Sequence, residues 1–272
     1  MVNKALSDEG ALNIKSERMK TMKNYLIYPC KTMRITQSYT GTTSHLPHTT
    51  GTPKDYPIDE GCSDTGRDYI YCPCDGMKVK RIYGVGSGGT NTIWLESTEK
   101  VLFADGTKNY CTLLITHPDD ADLKKIKDGQ VFTRKQKICR EGKDGATAYH
   151  LHISAGKGKF TGNGWTLNSK GKYVLTTKSG AFKPEALFFI DEAFTKVMND
   201  KGLDFKPMPT YSTGKYKVNT AVLNVRSGAG TSYKKVGAVV LGQKITVDKV
   251  IGDWGRIGKN RWVCLDYCKK VK

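Results

Sequence analysis

Apolar and polar positions along this chain fall into short runs. From Tyr25 onward, "YLIYPC", "MKVKRIY", "TNTIWLEST", "YCTLLITH" and "YHLHISAG" are rich in Val, Ile, Tyr and Thr. Turns containing Gly or Asp separate them, which is the pattern of strands in a sheet. "GVGSGGTN" (84–91) is a glycine-rich hairpin turn rather than a phosphate loop, because no helix follows it. "DDADLKKIKDGQVF" allows a short helix or turn, and residues 156–177 read as a loop and hairpin. One segment reads as a clear helix. In "KPEALFFIDEAFTKVMND" (183–200), Pro184 suits a first turn, and Leu187, Ile190, Phe194, Val197 and Met198 recur at helical spacing.

A second pattern begins after "NDKGLDFKPMPTYSTGKY", whose Gly and Pro residues mark a linker. Five or six short β runs then crowd into about 55 residues, which predicts a small all-β barrel. The expected organisation is a polar leader over 1–24, a mainly β domain over 25–198, a linker over 199–214 and the barrel over 215–272.

Composition adds a partner class. The 272 residues carry a net charge of +18. Residues 210–272 hold 13 Lys+Arg against 3 Asp+Glu, a net of +10. Such a chain suits an anionic partner, whether nucleic acid, an acidic membrane or an anionic wall polymer. Nucleic acid is disfavoured, because no helix carries a basic stripe and no RNP-like aromatic motif occurs. No apolar stretch approaches the ~20 residues of a membrane span, and the N-terminus lacks the apolar block of a signal peptide. The eight cysteines form no CxxC pair, and most are expected as buried thiols. Cys72 and Cys74 would need two further ligands to hold zinc.

Chemistry concentrates in the histidines. All five lie between residues 45 and 152. "SHLPHTTGTPKDYPIDEG" supplies His45, His48, Asp55 and Asp59, "LLITH" supplies His117 at a strand end, and "YHLH" supplies His150 and His152. Three N/O ligands with a fourth position open to water define a catalytic zinc site, where the metal activates water and polarises a carbonyl. On a strand, His150 and His152 share a face about 7 Å apart. One can then bind metal while the other serves as general base or oxyanion donor.

Residues 25–192 resemble the M23 family of zinc metallopeptidases, the lysostaphin/LytM-like peptidoglycan endopeptidases. The resemblance rests on "SH…YPID", "CPCDGMKV", "LLITH" and "HLH". It implies a LytM-like antiparallel β-sheet fold with a narrow groove, and hydrolysis of cell-wall peptide bonds. It also implies zinc ligation by an upstream His, Asp59 and His152, with His117 and His150 as catalytic, non-ligand histidines. Tyr39 is a candidate oxyanion donor. The family's first motif keeps His and Asp close together; here 13 residues separate His45 from Asp59 and 10 separate His48 from it. His45 is favoured because lysins of this type carry "SH" after a "TQxY"-like strand, and Asp59 over Asp55 because "YPIDEG" is similar to the family's Asp strand. His48 stays open as the alternative ligand.

"LNVRSGAGTSYKKVGAVVLGQKITV" and "DWGRIGKNRWVCLDY" resemble a bacterial SH3 (SH3b) domain, which implies peptidoglycan binding. Trp254 and Trp262 read first as barrel core, and Arg226 and Tyr233 as turn packing or ligand contact. The whole is expected to be a monomeric phage-type endolysin, made in the host cytoplasm and acting on the wall after holin-type release. The second reading is an inactive, wall-binding or regulatory relative.

Overall fold

Six residues from the middle three strands of one sheet show how the pattern becomes a fold. Ile93, Leu95, Leu113, Ile115, Leu151 and Ile153 are at most 1 % exposed and lie in one core. Their neighbours Thr92, Trp94, Leu114, Thr116, His152 and Ser154 line a groove. Successive side chains of a strand point to opposite faces, so each strand sends one set into the core and the other into the groove.

The computed structural model describes residues 23–42, 44–61, 67–87 and 90–271. All but the last two residues of the expected leader, and Cys62, lie outside these. The described chain divides into two units, one spanning Asn24–Met208 and one containing Pro209–Lys272.

The first unit is built on an eight-stranded sheet. Its order is Lys196–Asn199, Thr32–Gln37, Ile58–Glu60, Leu151–Lys157, Cys111–Thr116, Thr92–Ser97, Met77–Tyr83 and Val131–Phe132. Every pairing is antiparallel except the first. The hairpin read at 84–91 joins Met77–Tyr83 to Thr92–Ser97, with Tyr83 opposite Thr92. A second hairpin, Phe160–Leu167 with Tyr173–Thr177, packs Leu175, Phe160 and Trp165 against Trp94 and Leu114. Gly164 permits the close approach: its φ is +78°, and a Cβ there would lie 2.7 Å from Trp94 Cδ1. The Trp94 indole N–H donates to Gly164 O at 2.9 Å.

The helix expected over 183–200 is one turn, Pro184–Leu187. Phe188 is already extended (φ −94°, ψ 133°). Phe188 enters the main core, whereas Phe189 joins a separate cluster with Tyr25 and Ile27. Neighbouring residues buried on opposite sides follow a period of two, not 3.6. Backbone pairing completes the override: Phe189 N–H donates to Leu26 O, and Tyr28 N–H to Phe189 O. Val197 and Met198 stand 46 % and 49 % exposed on the edge strand Lys196–Asn199. Residues Lys206–Pro207, inside the stretch read as a linker, pair in parallel with Phe189–Ile190.

Among the described residues the second unit holds eight short strands in a three-stranded and a five-stranded sheet. Tyr216, Val218, Val225, Val247, Val263 and Leu265 form its centre. Trp254 and Trp262 are buried together with Ala229 and Cys264, consistent with a core reading for both. The Arg226 guanidinium donates to Tyr233 O at 2.8 Å, so this pair holds a turn. Among the described residues seven cysteines are free thiols, six of them buried.

Candidate metal centre and groove

Strand register builds the site. Asp59 on Ile58–Glu60 lies directly opposite His152 on Leu151–Lys157, and such cross-strand pairs place their Cβ atoms about 5 Å apart. His152 Nδ1 lies 3.0 Å from Asp59 Oδ1. His45, at the start of the short helix Leu46–Thr50, brings Nε2 to 3.1 Å from the same oxygen. Donor atoms of His45, Asp59 and His152 all lie within 4.8 Å of one another. Gln37 Nε2 donates to Asp59 Oδ2 at 2.9 Å. Burial works against the Asp59 charge, but hydrogen bonds from His152 and His45 outweigh it and hold the carboxyl well below the usual range.

The donor set fits a zinc ion. The Ser38 carbonyl lies 3.1 Å from His45 Nδ1 and can only accept, so Nδ1 carries the proton. Contact of His45 Nε2 with Asp59 then needs either a second proton or a cation shared between ring and carboxylate. Two imidazole nitrogens and one carboxylate oxygen around such a point are a three-ligand zinc set. The Ser38 carbonyl is the outer partner that fixes ring tautomer and direction.

His117 and His150 stand beside this centre, their ring centroids 4.7 Å apart. His117 Nδ1–H donates to Asp144 O at 2.7 Å and His150 Nδ1–H to Ala148 O at 3.0 Å. Both rings therefore keep Nε2 as the free nitrogen; that of His150 is 3.9 Å from Asp59 Oδ1. Burial holds the His117 imidazole down at about 4, against the favourable Asp144 contact, so it is neutral at pH 7. His117 also has φ 69°. That left-handed conformation is uncommon for a side chain with a Cβ and concentrates at functional sites.

The remaining candidates separate. His48 lies near the centre, its ring 5.5 Å from His152 and 6.0 Å from His45, but outside the three-residue donor group. Asp55 is buried and spends its carboxylate on the backbone N–H groups of Tyr56 (2.7 Å) and Leu175 (2.8 Å). It anchors the second hairpin rather than a histidine ring. The Tyr39 hydroxyl donates to Glu185 at 2.6 Å, and Tyr39 is absent from the groove lining. Cys72 and Cys74 are core thiols whose hydrogen bonds run to backbone carbonyls.

Sequence reading expects groove walls from loops such as 156–177 but names none of their residues. Lys172, Tyr173 and Trp165 line the groove, and the Trp165 and Tyr173 rings meet edge to face at 4.5 Å. The available signal was aromatic residues inside a Gly- and Asn-rich hairpin, which does not say which of them turn toward the groove.

Fold and site together define a mainly β unit whose groove holds a candidate His/Asp metal site, followed by a bacterial SH3 domain: residues 221–267 match that domain family. The chain is similar to lysostaphin in its solution structure, at 18% identity over 77% of this chain and 80% of that one (TM-score 0.33). It is similar to the antimicrobial peptidase lysostaphin from Staphylococcus simulans, at 15% identity over 85% and 87% (TM-score 0.32). A zinc-containing peptidase from Vibrio cholerae is 19% identical over 60% of this chain and 41% of that one (TM-score 0.33). No curated protein matches the chain.

Proposed function

We propose that this chain is a zinc-dependent endopeptidase that hydrolyses peptide bonds of bacterial peptidoglycan, held on the wall by its SH3 domain. The observation that carries the reading is the convergence of His45, Asp59 and His152 to within 4.8 Å, with the His117–His150 pair beside them in one groove. His45 Nε2, Asp59 Oδ1 and His152 Nδ1 would hold the ion. Zinc bound there supplies a Lewis acid for the scissile carbonyl and for the attacking water.

The chain's own groups do the rest. His150, with Nδ1–H held by Ala148 O and Nε2 facing the centre, is the candidate to accept the water proton. His150 would then return that proton to the leaving amine, and His117 Nε2, likewise unprotonated, is the second nitrogen able to accept it. Trp94, Leu114 and Trp165 narrow the groove and exclude bulk water from part of it. The C-terminal excess of positive charge adds salt-sensitive attraction to an anionic wall, and two linked modules raise effective concentration there. The finer reading is a phage-type endolysin reaching the wall after holin-type release.

The test is clearance of suspended cell walls by purified protein, with mass spectrometry of the released peptides. Chelator is expected to abolish clearance and added zinc to restore it; chelator-resistant lysis would sink the mechanism. The inactive-binder reading is separated by His152→Ala, which removes turnover from an enzyme and leaves a pure binder intact.

A further inference from the structure

Four of the five histidines have roles in this reading, and His48 has none. Its Nδ1 is buried without a hydrogen-bond partner, and its ring lies against His152 and His45, whereas the His117 and His150 rings meet each other. Lys172 lines the same groove and is half-buried. Among the groove-lining residues it is the single Lys or Arg, and among the described residues its ammonium has no ion-pair partner.

The backbone segments that carry these two side chains are joined by Asn168, which is 6 % exposed. Asn168 Nδ2 donates to Pro47 O at 3.0 Å, and its Oδ1 accepts from Lys172 N at 3.1 Å and Lys170 N at 2.9 Å. The helix carrying His48 and the turn carrying Lys172 are thereby clamped. Their proximity also shows in the Lys172 charge acting against protonation of His48, behind the larger effect of burial and the neighbouring rings. Both carboxylates lining the groove are already committed, Asp55 to backbone N–H groups and Asp59 to His45, His152 and Gln37. Among the described residues no groove carboxylate is left for Lys172, so an anion brought by a substrate would meet an uncommitted ammonium.

We propose that His48 and Lys172 form a carboxylate-binding subsite on the groove wall, taking a free carboxyl of the peptide beside the scissile bond. Lys172 supplies the charge, and the His48 ring, which lines the same groove, a hydrogen bond. This rests on the peptidase reading above. The probe is a cross-linked stem-peptide dimer, either with its carboxyls free or with the same carboxyls converted to carboxamides. The parent is expected to show a KM at least about tenfold lower for the acid form, the factor of one charge-assisted hydrogen bond. Lys172→Met should erase the preference and Lys172→Arg should retain most of it. Lys170→Met, on the exposed side of the same turn, should leave it intact. His48→Gln should weaken the preference while keeping bound zinc. A parent indifferent to the carboxyl, a preference that survives Lys172→Met, or loss of zinc in His48→Gln overturns the proposal. Equilibrium binding of both peptides separates the two readings. Cleavage of both forms with equal affinity refutes the subsite and leaves the peptidase. Tighter binding of the acid form without cleavage of either refutes the peptidase and leaves the subsite. Binding of neither form refutes the subsite as well.

Discussion

Asp59→Asn puts the greatest demand on the proposed centre, because one carboxylate receives three contacts at 2.9–3.1 Å. Asparagine keeps the shape, removes the charge, and sets an NH2 group against one of the present donors. Hydrogen bonds to a charged group contribute ~1.5–3 kcal/mol each. Desolvating the carboxylate costs several kcal/mol and offsets much of that, leaving a net loss of about 2 kcal/mol. For a unit of this size, about 2 kcal/mol lowers Tm by roughly 4–8 °C. Zinc affinity should suffer more: even an outer-layer partner of a metal ligand is worth about 10–100-fold, and Asp59 is the only anionic member of the donor set. The assay is metal content after equilibration in buffered free zinc, alongside thermal unfolding of the metal-free protein. A variant that binds one zinc with parental affinity and clears walls at the parental rate would refute the assignment of Asp59.

Three other outcomes are expected. Ile153→Ala empties a site that is 1 % exposed in the main core, directly behind His152; it should cost about 2–5 kcal/mol, read as a fall in denaturant midpoint. Met198→Lys should change stability by no more than ~0.5 kcal/mol, because Met198 is exposed on an edge strand; a loss of several kcal/mol would favour the packed helix instead. Burial, and then the nearby Asp266 charge, push the Asp253 carboxyl up to about 6. The folded state then holds that proton more tightly than the unfolded one, so the C-terminal unit should lose stability between about pH 4 and 6, by ~2–3 kcal/mol at most, and change little above. Hydrogen exchange of the Trp254–Gly258 amides at pH 4.5 and 7 reads this, and Asp253→Asn should flatten the slope.

Local patterns carried much of this in the sequence. The "YHLH" strand, the strand-end His117 and the β-rich C-terminal part were readable because a period of two and turn residues act over a few positions. The run Leu187–Ile190 was not, because four consecutive apolar residues satisfy either period. Its pairing with Leu26, Tyr28 and the 206–207 segment decided for strand. The upstream half of the centre was equally ambiguous: two histidines and two aspartates lie within 15 residues, and spacing cannot rank them.

What the sequence determined by itself was the set of chemical groups: five histidines and two aspartates in a β-rich chain, with a basic barrel behind them. What only the tertiary structure decided was which of them meet. Register across Ile58–Glu60 and Leu151–Lys157 puts Asp59, not Asp55, opposite His152. The helix Leu46–Thr50 turns His45 onto that carboxylate and leaves His48 in the groove lining against the His45 and His152 rings. The hairpin wall that supplies Lys172 and Trp165 comes from residues more than a hundred positions from His45. Ligation and recognition need atoms within a few ångströms, and between segments that distant along the chain only packing sets such distances.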